Sequence, residues 1–527
     1  MADIKQLESD LRSGRISRRD FVKLTALFGL SAAAPGMLFA AGHDPKKGGH
    51  LKIGTGHGST TDSLDPGTAT NDFTGMLLNT MHGYLTVVAG DNSLQGELAE
   101  SWGSSEDAKE WTFTLRKAKF HNGQPVTGKD VIASLNFHRG EESKSAVKST
   151  VDTIEEMKAD GDTVILTLKE GNADLPYLMS DYHLVIAPAT DDGKIDPAGT
   201  IGAGAYKLKN FDPGVKAEFE KFADYWNDKE GHVDTAELIS IKDVAARTNA
   251  LRTGEVDIID RLDIKTLHLL ERDKTVKIME TSGNAHYSMP MRCDMDPYKN
   301  NDVRLALKYS LDREALLETL LRGHGYIGND HPIGRANRYL AKDMEQRAYD
   351  PDKAKFHLKK AGAEGLKVQL SAADAAFAGA VDAAVLYKEH AAKAGIDVEV
   401  IREPDDGYWS DVWMKKDFCM CYWSGRPTED WMFVSAYAAE SKWNDAYWQH
   451  EKFNKLLVEA RSELDEARRG DMYAEMQGIV SNEGGTAIPV FNNYLFASSD
   501  KISQPESMAN NWSTDGHRAI LRWWKKS

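Results

Sequence analysis

Short strands and helices alternate along most of this chain, which leaves few fold classes open to it. A first strand over Gly48–Gly56 ends in a glycine-rich turn, and the run Trp111–Arg116 alternates apolar and polar residues. The pattern over Asp243–Gly254 is that of a helix ending at a glycine, and a strand over Val256–Ile259 follows. Alternation of this kind is typical of α/β domains. The sequence therefore predicts an α/β protein with mixed sheets.

The length and charge of the chain restrict its organisation and its partners. With 527 residues it exceeds the roughly 250–300 residues that one hydrophobic core supports, so we expect two or three domains. A hydrophobic content of 41% and a charged content of 28% are ordinary for a globular protein. The formal net charge of −16 disfavours nucleic acid and anionic membrane surfaces as partners.

The N-terminus has the layout of an export signal. A twin arginine, Arg18-Arg19, precedes an apolar, alanine-rich run over Leu24–Ala40. Residues 1–41 are therefore predicted to be a signal peptide of the twin-arginine type, which places the mature protein in the periplasm. The alternative is a membrane anchor, but glycine and serine dilute the run. After residue 41 no stretch is apolar for long enough to span a bilayer, so we expect no stable membrane insertion.

The cysteines and motifs give no sign of a metal or of catalysis. Cys293, Cys419 and Cys421 cannot all pair, and buried free thiols are favoured over metal or redox roles. The chain lacks C-x-x-C and H-E-x-x-H spacing, and it also lacks a G-x-S-x-G elbow, a phosphate-binding loop and a dinucleotide fingerprint. We expect no metal, no cofactor and no enzymatic activity.

Five stretches carry a resemblance to a known family. The first ends in the pattern GxxxTxxDVxxSxxF, and all five occur in the family's order. The chain resembles the family-five extracellular solute-binding proteins, which include the dipeptide, oligopeptide and nickel receptors of ABC importers. The matching stretches are Leu98–Phe137, Ile201–Gly214, Asn301–Leu316, Tyr349–Gly362 and Tyr422–Trp431.

The resemblance implies a two-lobed periplasmic binding protein fold of type II, with two chain crossings between the lobes. Lobe one would comprise residues 42–284 and 497–527, an extra subdomain would occupy 76–200 within it, and lobe two would comprise 285–496. Ligand would be enclosed as the lobes close. The resemblance also implies a monomeric receptor that works with an ABC permease and its ATPase subunits.

The segment Trp423-Ser424-Gly425-Arg426 departs from the peptide receptors of the family. In those receptors an aspartate just after the late strand pairs with the α-amino group of the ligand, and Arg426 stands at that position here. A guanidinium suits a carboxylate, a phosphate or a sulfonate. The alternative is a structural pair of Arg426 with Glu429 or Asp430.

A second departure lies at Arg292, where the peptide receptors usually have asparagine. The segment after the strand Leu366–Leu370 also lacks the arginine that dipeptide receptors offer to the ligand carboxylate. The polarity of the peptide site is therefore expected to be rebuilt, which argues against ordinary dipeptide binding. The alternative for Arg292 is an ion pair within lobe two.

Aromatic residues are dense near this segment, since six of the twelve tryptophans fall between 409 and 448. Their faces can stack on rings, sugars or cationic groups, although core packing explains many of them. Across the cleft, a family segment that lines lobe one aligns with residues 70–73, and Asp72 could contact a cation on the ligand. The remaining candidate ligand contacts are Tyr408, Trp409, Trp431, Asn71, Asp72 and Phe73.

These observations predict a periplasmic substrate-binding protein of an ABC importer. The expected ligand is a peptide-like or other small polar solute, with an acidic group and an apolar or ring face. The alternatives are a receptor for a non-peptide, such as an opine, a sugar acid or a metal chelate, and an exported enzyme.

Overall fold

A computed structural model describes residues 45–526, so the predicted signal peptide at 1–41 lies outside the described residues. A seven-stranded mixed sheet forms the base of lobe one. Its first strand pairs in parallel with two strands, and the other pairings are antiparallel. The strands, in spatial order, are Val276–Thr281, Tyr494–Ser499, Ile258–Ile259, His50–Thr55, Thr235–Ser240, Lys216–Lys221 and Tyr206–Asp212.

Apolar residues of the first strand and of the helix Asp72–Met81 build the core of lobe one. Leu51 and Ile53 are fully buried in the strand, and Phe73 and Leu77 are fully buried in the helix. The spacing of four between the two helix residues places them on one face. The other small elements of this lobe are the 3-10 helix Pro66–Thr68, the helices Val244–Thr253, Leu267–Leu270, Ser513–Gly516 and Ala519–Arg522, and the strand pair Ile502–Ser503 with Trp524–Lys525.

A four-stranded antiparallel sheet with its own core forms the subdomain. The alternating run predicted from the sequence is the strand Glu110–Leu115, which buries Trp111, Phe113 and Leu115. A capping box between Thr127 and Asp130 starts the following helix. The strands of the sheet lie in the order Ala99–Ser104, Glu110–Leu115, Thr163–Leu168 and Ile154–Asp160. The subdomain also contains a hairpin, Thr86–Val88 with Leu94–Gly96, and the helices Gly128–Phe137, Lys148–Val151 and Leu175–Leu178.

Lobe two contains a four-stranded antiparallel sheet in the order Gly325–Ile327, Thr486–Asn492, His286–Pro290 and Cys421–Trp423. An isolated bridge from Ser371 to Cys419 joins it to the parallel strands Lys367–Ala372 and Asp397–Arg402. Its helices are Asn301–Tyr309, Arg313–Leu321, Pro351–Ala361, Ala380–Ala392, Tyr408–Asp411, Glu429–Ala436, Glu451–Ser462 and Glu466–Glu483.

Two short segments connect the seven-stranded and four-stranded sheets. The first runs from Thr281 to His286, close to the expected boundary at 284. The second is Asn493 alone, between Asn492 and Tyr494, so it precedes the expected boundary at 496. The difference arises because the strand Tyr494–Ser499 pairs along its whole length with Val276–Thr281 of the seven-stranded sheet. The α/β class and the two lobes predicted from the sequence are confirmed.

Candidate ligand-binding site

The turn that presents Arg426 is anchored at the first crossing. It follows the edge strand Cys421–Trp423, and Gly425 has a φ of 79°, which favours glycine. A Cβ atom at Gly425 would lie 2.6 Å from the carbonyl oxygen of Asn284 in that crossing. The Arg426 carbonyl accepts hydrogen bonds from the side-chain amides of Asn284 at 3.3 Å and Asn337 at 3.2 Å. The position of Arg426 is therefore tied to the segment at which the lobes meet.

Among residues 45–526 the Arg426 side chain has no acidic partner. Its Nη1 donates to the Gly425 carbonyl at 2.7 Å, and its Cζ lies 5.6 Å and 5.8 Å from the ring centroids of Trp423 and Trp431. No Asp or Glu oxygen of residues 45–526 lies within 4 Å of the guanidinium. Burial lowers the pKa of Arg426, and the charge of Asp181 acts in the opposite direction. The guanidinium is therefore partly desolvated without being neutralised.

The two carboxylates proposed as structural partners of Arg426 are engaged elsewhere. Glu429 accepts from the backbone N–H of Tyr339 at 2.6 Å. Asp430 pairs with Nε of Arg461 at 3.1 Å. The structural-pair alternative for Arg426 is thus not the arrangement that the protein adopts.

A cavity of about 400 Å³ opens beside Arg426 and is lined mainly by aromatic rings. The rings form a continuous series: Tyr422 and Trp409 have centroids 5.6 Å apart, Trp409 and Trp413 5.9 Å, Trp413 and Trp423 6.5 Å, and Trp423 and Trp443 6.1 Å. We call these five residues the aromatic series. The lining is completed by Cys421, Ser424 and Arg426. The size and composition suit a small ligand with an apolar or ring face.

One buried carboxylate orients two members of the aromatic series. Oδ2 of Asp445 accepts from the indole nitrogens of Trp413 and Trp423, each at 3.2 Å, and from the Cys421 thiol at 3.8 Å. Burial raises the pKa of Asp445 to about 6, and these hydrogen bonds act against that effect. The carboxylate fixes the directions of both indoles because an indole has only one N–H to donate.

On the lobe-one side, Asp72 is surrounded by basic groups. Its carboxylate lies 3.0 Å from Nε2 of His517, 3.2 Å from Nδ1 of His57 and 3.9 Å from Nη1 of Arg261. Burial opposes ionisation, but the hydrogen bonds from the two histidines outweigh it and hold the pKa of Asp72 well below its usual value. This carboxylate already has three partners inside the protein, of which Arg261 is a permanent cation.

The other sequence-predicted contacts are spread over several environments. Asn71 caps the helix Asp72–Met81 and donates to Asp62, and Phe73 is fully buried in the lobe-one core. Tyr408 is also buried, with its hydroxyl donating to the Met420 carbonyl at 2.8 Å. Of all the candidates, the structure brings Trp409, Trp423, Ser424 and Arg426 together around the aromatic cavity, with Gly425 in the same turn and Trp431 beside the guanidinium.

Arg292 lies outside this cavity in an ion pair. Its guanidinium donates to the Asp294 carboxylate through Nε at 3.1 Å and Nη2 at 2.7 Å, and it lies 4.2 Å from the ring centroid of Tyr447. The hydrogen bond to Asp294 raises the pKa of Arg292. The ion pair within lobe two that the sequence left open as an alternative is therefore present.

A second cavity, of about 470 Å³, lies between the subdomain and lobe two. Asp174 of the subdomain and Trp431, Asp430 and Arg461 of lobe two are among its lining residues. Next to it, Asp174 bridges the two parts through a buried pair with Arg469 at 2.6 Å. Trp431 lines this cavity and lies beside Arg426, so the second cavity is adjacent to the aromatic one.

Several residues of the site were not singled out from the sequence. Trp413 and Trp443 were visible only as part of an aromatic-rich stretch, and Asp445, Asn284 and Asn337 belong to no motif. Their roles arise from packing between segments far apart in the chain, which periodicity does not show. In residues 45–526, no group of three or more His, Cys, Asp or Glu side chains could hold a metal ion. No helix in that part of the chain is both long and apolar enough to cross a membrane.

Two lobes joined by two crossings, with a small-molecule cavity beside one of them, define a solute-binding protein of the two-lobed class. Residues 93–445 match the model of the bacterial extracellular solute-binding proteins, family 5 (middle region), and the chain belongs to this family. The resemblance found in the sequence is thus confirmed.

Relatives support this assignment across most of the chain. The periplasmic oligopeptide-binding protein OppA of Haemophilus influenzae is 25% identical over 453 residues, covering 76% of this chain and 81% of the relative. The probable D,D-dipeptide-binding periplasmic protein DdpA of Escherichia coli is 26% identical over 436 residues, covering 78% and 82%.

Solved structures show the same fold. HbpA2 from Haemophilus parasuis has a TM-score of 0.80 at 20% identity, with 91% of this chain and 100% of that chain covered. AgaA from A. tumefaciens R10, solved in complex with agropinic acid, has a TM-score of 0.72 at 24% identity, with 91% of this chain and 99% of that chain covered.

Proposed function

We propose that this protein is the periplasmic receptor of an ABC importer and that it captures a small solute through an acidic group paired with Arg426. The observation that carries the proposal is a partly desolvated guanidinium, without an acidic partner in the described chain, beside an aromatic cavity. A desolvated cation is costly unless it is paired, and a carboxylate matches the guanidinium in charge and in planar geometry. A ligand would therefore supply the missing partner.

Ligands named for similar proteins support a small acidic or peptide-like solute. Relatives are named for oligopeptides and D,D-dipeptides, and a protein of the same fold holds agropinic acid. Among these, the acid agrees with the charge at Arg426. A position that offers a cation cannot bind the ammonium of a peptide, whereas it can bind a carboxylate.

A peptide remains the second candidate because one observation favours it. The strand Cys421–Trp423 lies at the edge of its sheet, and its outer side has no partner strand among residues 45–526. An extended peptide could add to this edge through main-chain hydrogen bonds. Its carboxyl end, rather than its amino end, would then have to face Arg426.

The proposal includes export and transport. The twin-arginine segment at residues 1–41 supports delivery to the periplasm, and family membership supports closure of the lobes around the ligand and transfer to a permease driven by ATPase subunits. We propose that the receptor acts as a monomer and without enzymatic turnover. Recovery of an unaltered ligand after release distinguishes a receptor from an exported enzyme.

Isothermal titration against two compound sets tests the ligand class. Organic acids with a ring or apolar face form one set, and dipeptides form the other; native mass spectrometry of protein from its own host supplies any retained compound. We expect Arg426→Gln to weaken binding of acids about 10- to 100-fold, the range for losing a charge-assisted hydrogen bond. Arg468→Gln, on an exposed helix end, is the matched control and should leave affinity unchanged. Equal affinity of Arg426→Gln and the parent protein for every acid that binds would refute the proposal.

A further inference from the structure

A buried negative charge lies directly behind the aromatic cavity. The Asp445 side chain belongs to a residue only 4% exposed, and its three hydrogen-bond donors, Trp413, Trp423 and Cys421, are all neutral. No Lys, Arg or His of the described residues pairs with this carboxylate within 4 Å. A cation placed in the cavity would be attracted by a charge that no basic side chain of residues 45–526 balances at close range.

The rings of the cavity are available to a cation. Aromatic faces attract cations within about 6 Å of the ring centroid, tryptophan most strongly. Arg426 lies over Trp423 and Trp431, whereas the other rings have no Lys or Arg over them within the part of the chain that the structure describes. Trp443 is 52% exposed and Tyr422 is 44% exposed. The rings without a cation are Trp409, Trp413, Tyr422 and Trp443.

The lining favours an ammonium group without hydrogens. A primary ammonium carries three N–H donors, each of which needs an acceptor when it is buried. The lining side chains that can accept are the hydroxyls of Ser424 and Tyr422 and the thiol of Cys421, and no carboxylate is among the lining residues. Methyl groups on the nitrogen remove this requirement and add apolar contact with the rings.

We propose that the aromatic cavity holds an alkylated ammonium group and that the ligand is a betaine-type zwitterion whose carboxylate pairs with Arg426. This inference rests on the proposed function, because it takes Arg426 as the carboxylate partner. Trp423 lines the cavity and also lies 5.6 Å from Cζ of Arg426, so a short linker joins the two charged ends. Asp445 acts from behind the rings as a positioning residue and as a source of negative potential.

Matched pairs of small molecules test the charge requirement. Glycine betaine, 3-(trimethylammonio)propanoate and 4-(trimethylammonio)butanoate have isosteres in which carbon replaces nitrogen: 3,3-dimethylbutanoate, 4,4-dimethylpentanoate and 5,5-dimethylhexanoate. Each pair has the same shape and differs by one positive charge. Isothermal titration with the full exported chain should show at least one betaine binding about 10-fold more tightly than its isostere. Betaines that bind no better than their isosteres at all three lengths overturn the inference.

Variants locate the effect at the cavity. Asp445→Asn removes the charge at constant size and should reduce betaine affinity about 5- to 10-fold without reducing isostere affinity, because the isosteres have no cation to lose an attraction. Trp443→Leu should reduce betaine affinity as well, and because Trp443 is half-exposed, this substitution should have little effect on folding. Phe356→Leu, at an exposed ring outside the cavity, is the control and should change neither. Loss of both compound classes to the same extent in Asp445→Asn would contradict the electrostatic role.

The outcome also separates this inference from the proposed function. Arg426→Gln should weaken betaines and isosteres alike, because both carry the carboxylate. If the isosteres bind through Arg426 and the betaines gain nothing, the betaine inference fails and the acid receptor stands. If no carboxylate of either set depends on Arg426, both fail.

Discussion

Arg426 and Arg292 lie in the same lobe, and both replace residues that the peptide receptors of the family have, yet their surroundings in the structure are opposite. Arg292 donates twice to Asp294 and lies over Tyr447. Arg426 contacts a carbonyl and two rings, and no carboxylate of the described chain lies within 4 Å of its guanidinium. An arginine with its charge matched is part of the fold, whereas an unmatched one can bind a ligand. Residue type alone does not separate the two cases.

The same contrast appears between two buried carboxylates of lobe two. Asp330 accepts from Nη2 of Arg313 at 2.7 and 2.6 Å and from Nε of Arg347 at 2.8 Å. Asp445 is also buried, but its hydrogen-bond donors within the described residues are all neutral. The paired carboxylate holds segments of the lobe together, and the unpaired one lies beside the aromatic cavity. Unmatched charges of both signs therefore occur at one place, next to the aromatic series.

Removal of the matched carboxylate should produce the largest effect on stability. Asp330→Asn leaves two buried guanidinium groups without their counter-charge, and we expect the free energy of unfolding to fall by about 3–5 kcal/mol. Urea denaturation followed by tryptophan fluorescence measures this loss. Asp352→Asn, at an exposed pair with Lys355, should be indistinguishable from the parent protein. A loss of unfolding free energy below about 1 kcal/mol in Asp330→Asn would mean that a buried ion pair in this protein does not identify charges that stabilise the fold.

Asp445 has no counter-charge within 4 Å among the described residues, so it should make the stability of the protein depend on pH. Its pKa of about 6 in the folded protein exceeds the ordinary value of 3.8, so the folded state holds the proton more tightly than the unfolded chain. The resulting stability is present below about pH 4 and is lost as the pH rises through about 6, by up to about 3 kcal/mol. The neighbouring groups Cys419, Cys421 and Tyr437 have raised pKa values and stay neutral over this range.

Asp445→Asn isolates this contribution from the other titrating groups. Relative to the parent protein, the variant should gain unfolding free energy as the pH is raised from 4.5 to 7.5, since the asparagine cannot ionise. Denaturation midpoints at several pH values give the difference. A difference that stays constant with pH would show that folding does not shift the pKa of Asp445, and therefore that its charge is compensated or solvated in the folded protein.

Much of the fold could be predicted from the sequence, because the local patterns of strands and helices agree with the order of the family motifs. Alternation predicted the strand Glu110–Leu115, and the glycine at position 254 predicted the end of the helix Val244–Thr253. The second crossing precedes the boundary expected at 496, because the strand Tyr494–Ser499 has a sequence pattern that suits either sheet and only its pairing with Val276–Thr281 assigns it to the seven-stranded sheet.

The site could be predicted only where a motif position marked it. Arg426 was found through its alignment with a family aspartate, and Trp423 and Trp409 through aromatic density. The role of Asp445 could not be predicted, because it depends on hydrogen bonds from two indoles 22 and 32 residues away in the chain. The burial of Tyr408 and Phe73 was equally hidden, since an aromatic side chain in a core and one in a cavity have the same sequence signal.

Arg292→Gln should have the smallest effect and completes the comparison with Arg426. Its ion pair with Asp294, whose side chain is 40% exposed, is partly open to solvent, so the unfolding free energy should change by less than about 1 kcal/mol. Ligand affinity should change less than about 2-fold, because the guanidinium is not part of the aromatic cavity. Titration of Arg292→Gln beside Arg426→Gln with one acidic ligand gives the ratio directly. A loss of affinity in Arg292→Gln as large as that in Arg426→Gln would show that lobe closure releases Arg292 from Asp294 and brings it to the ligand. The ion pair with Asp294 would then not show that Arg292 is structural.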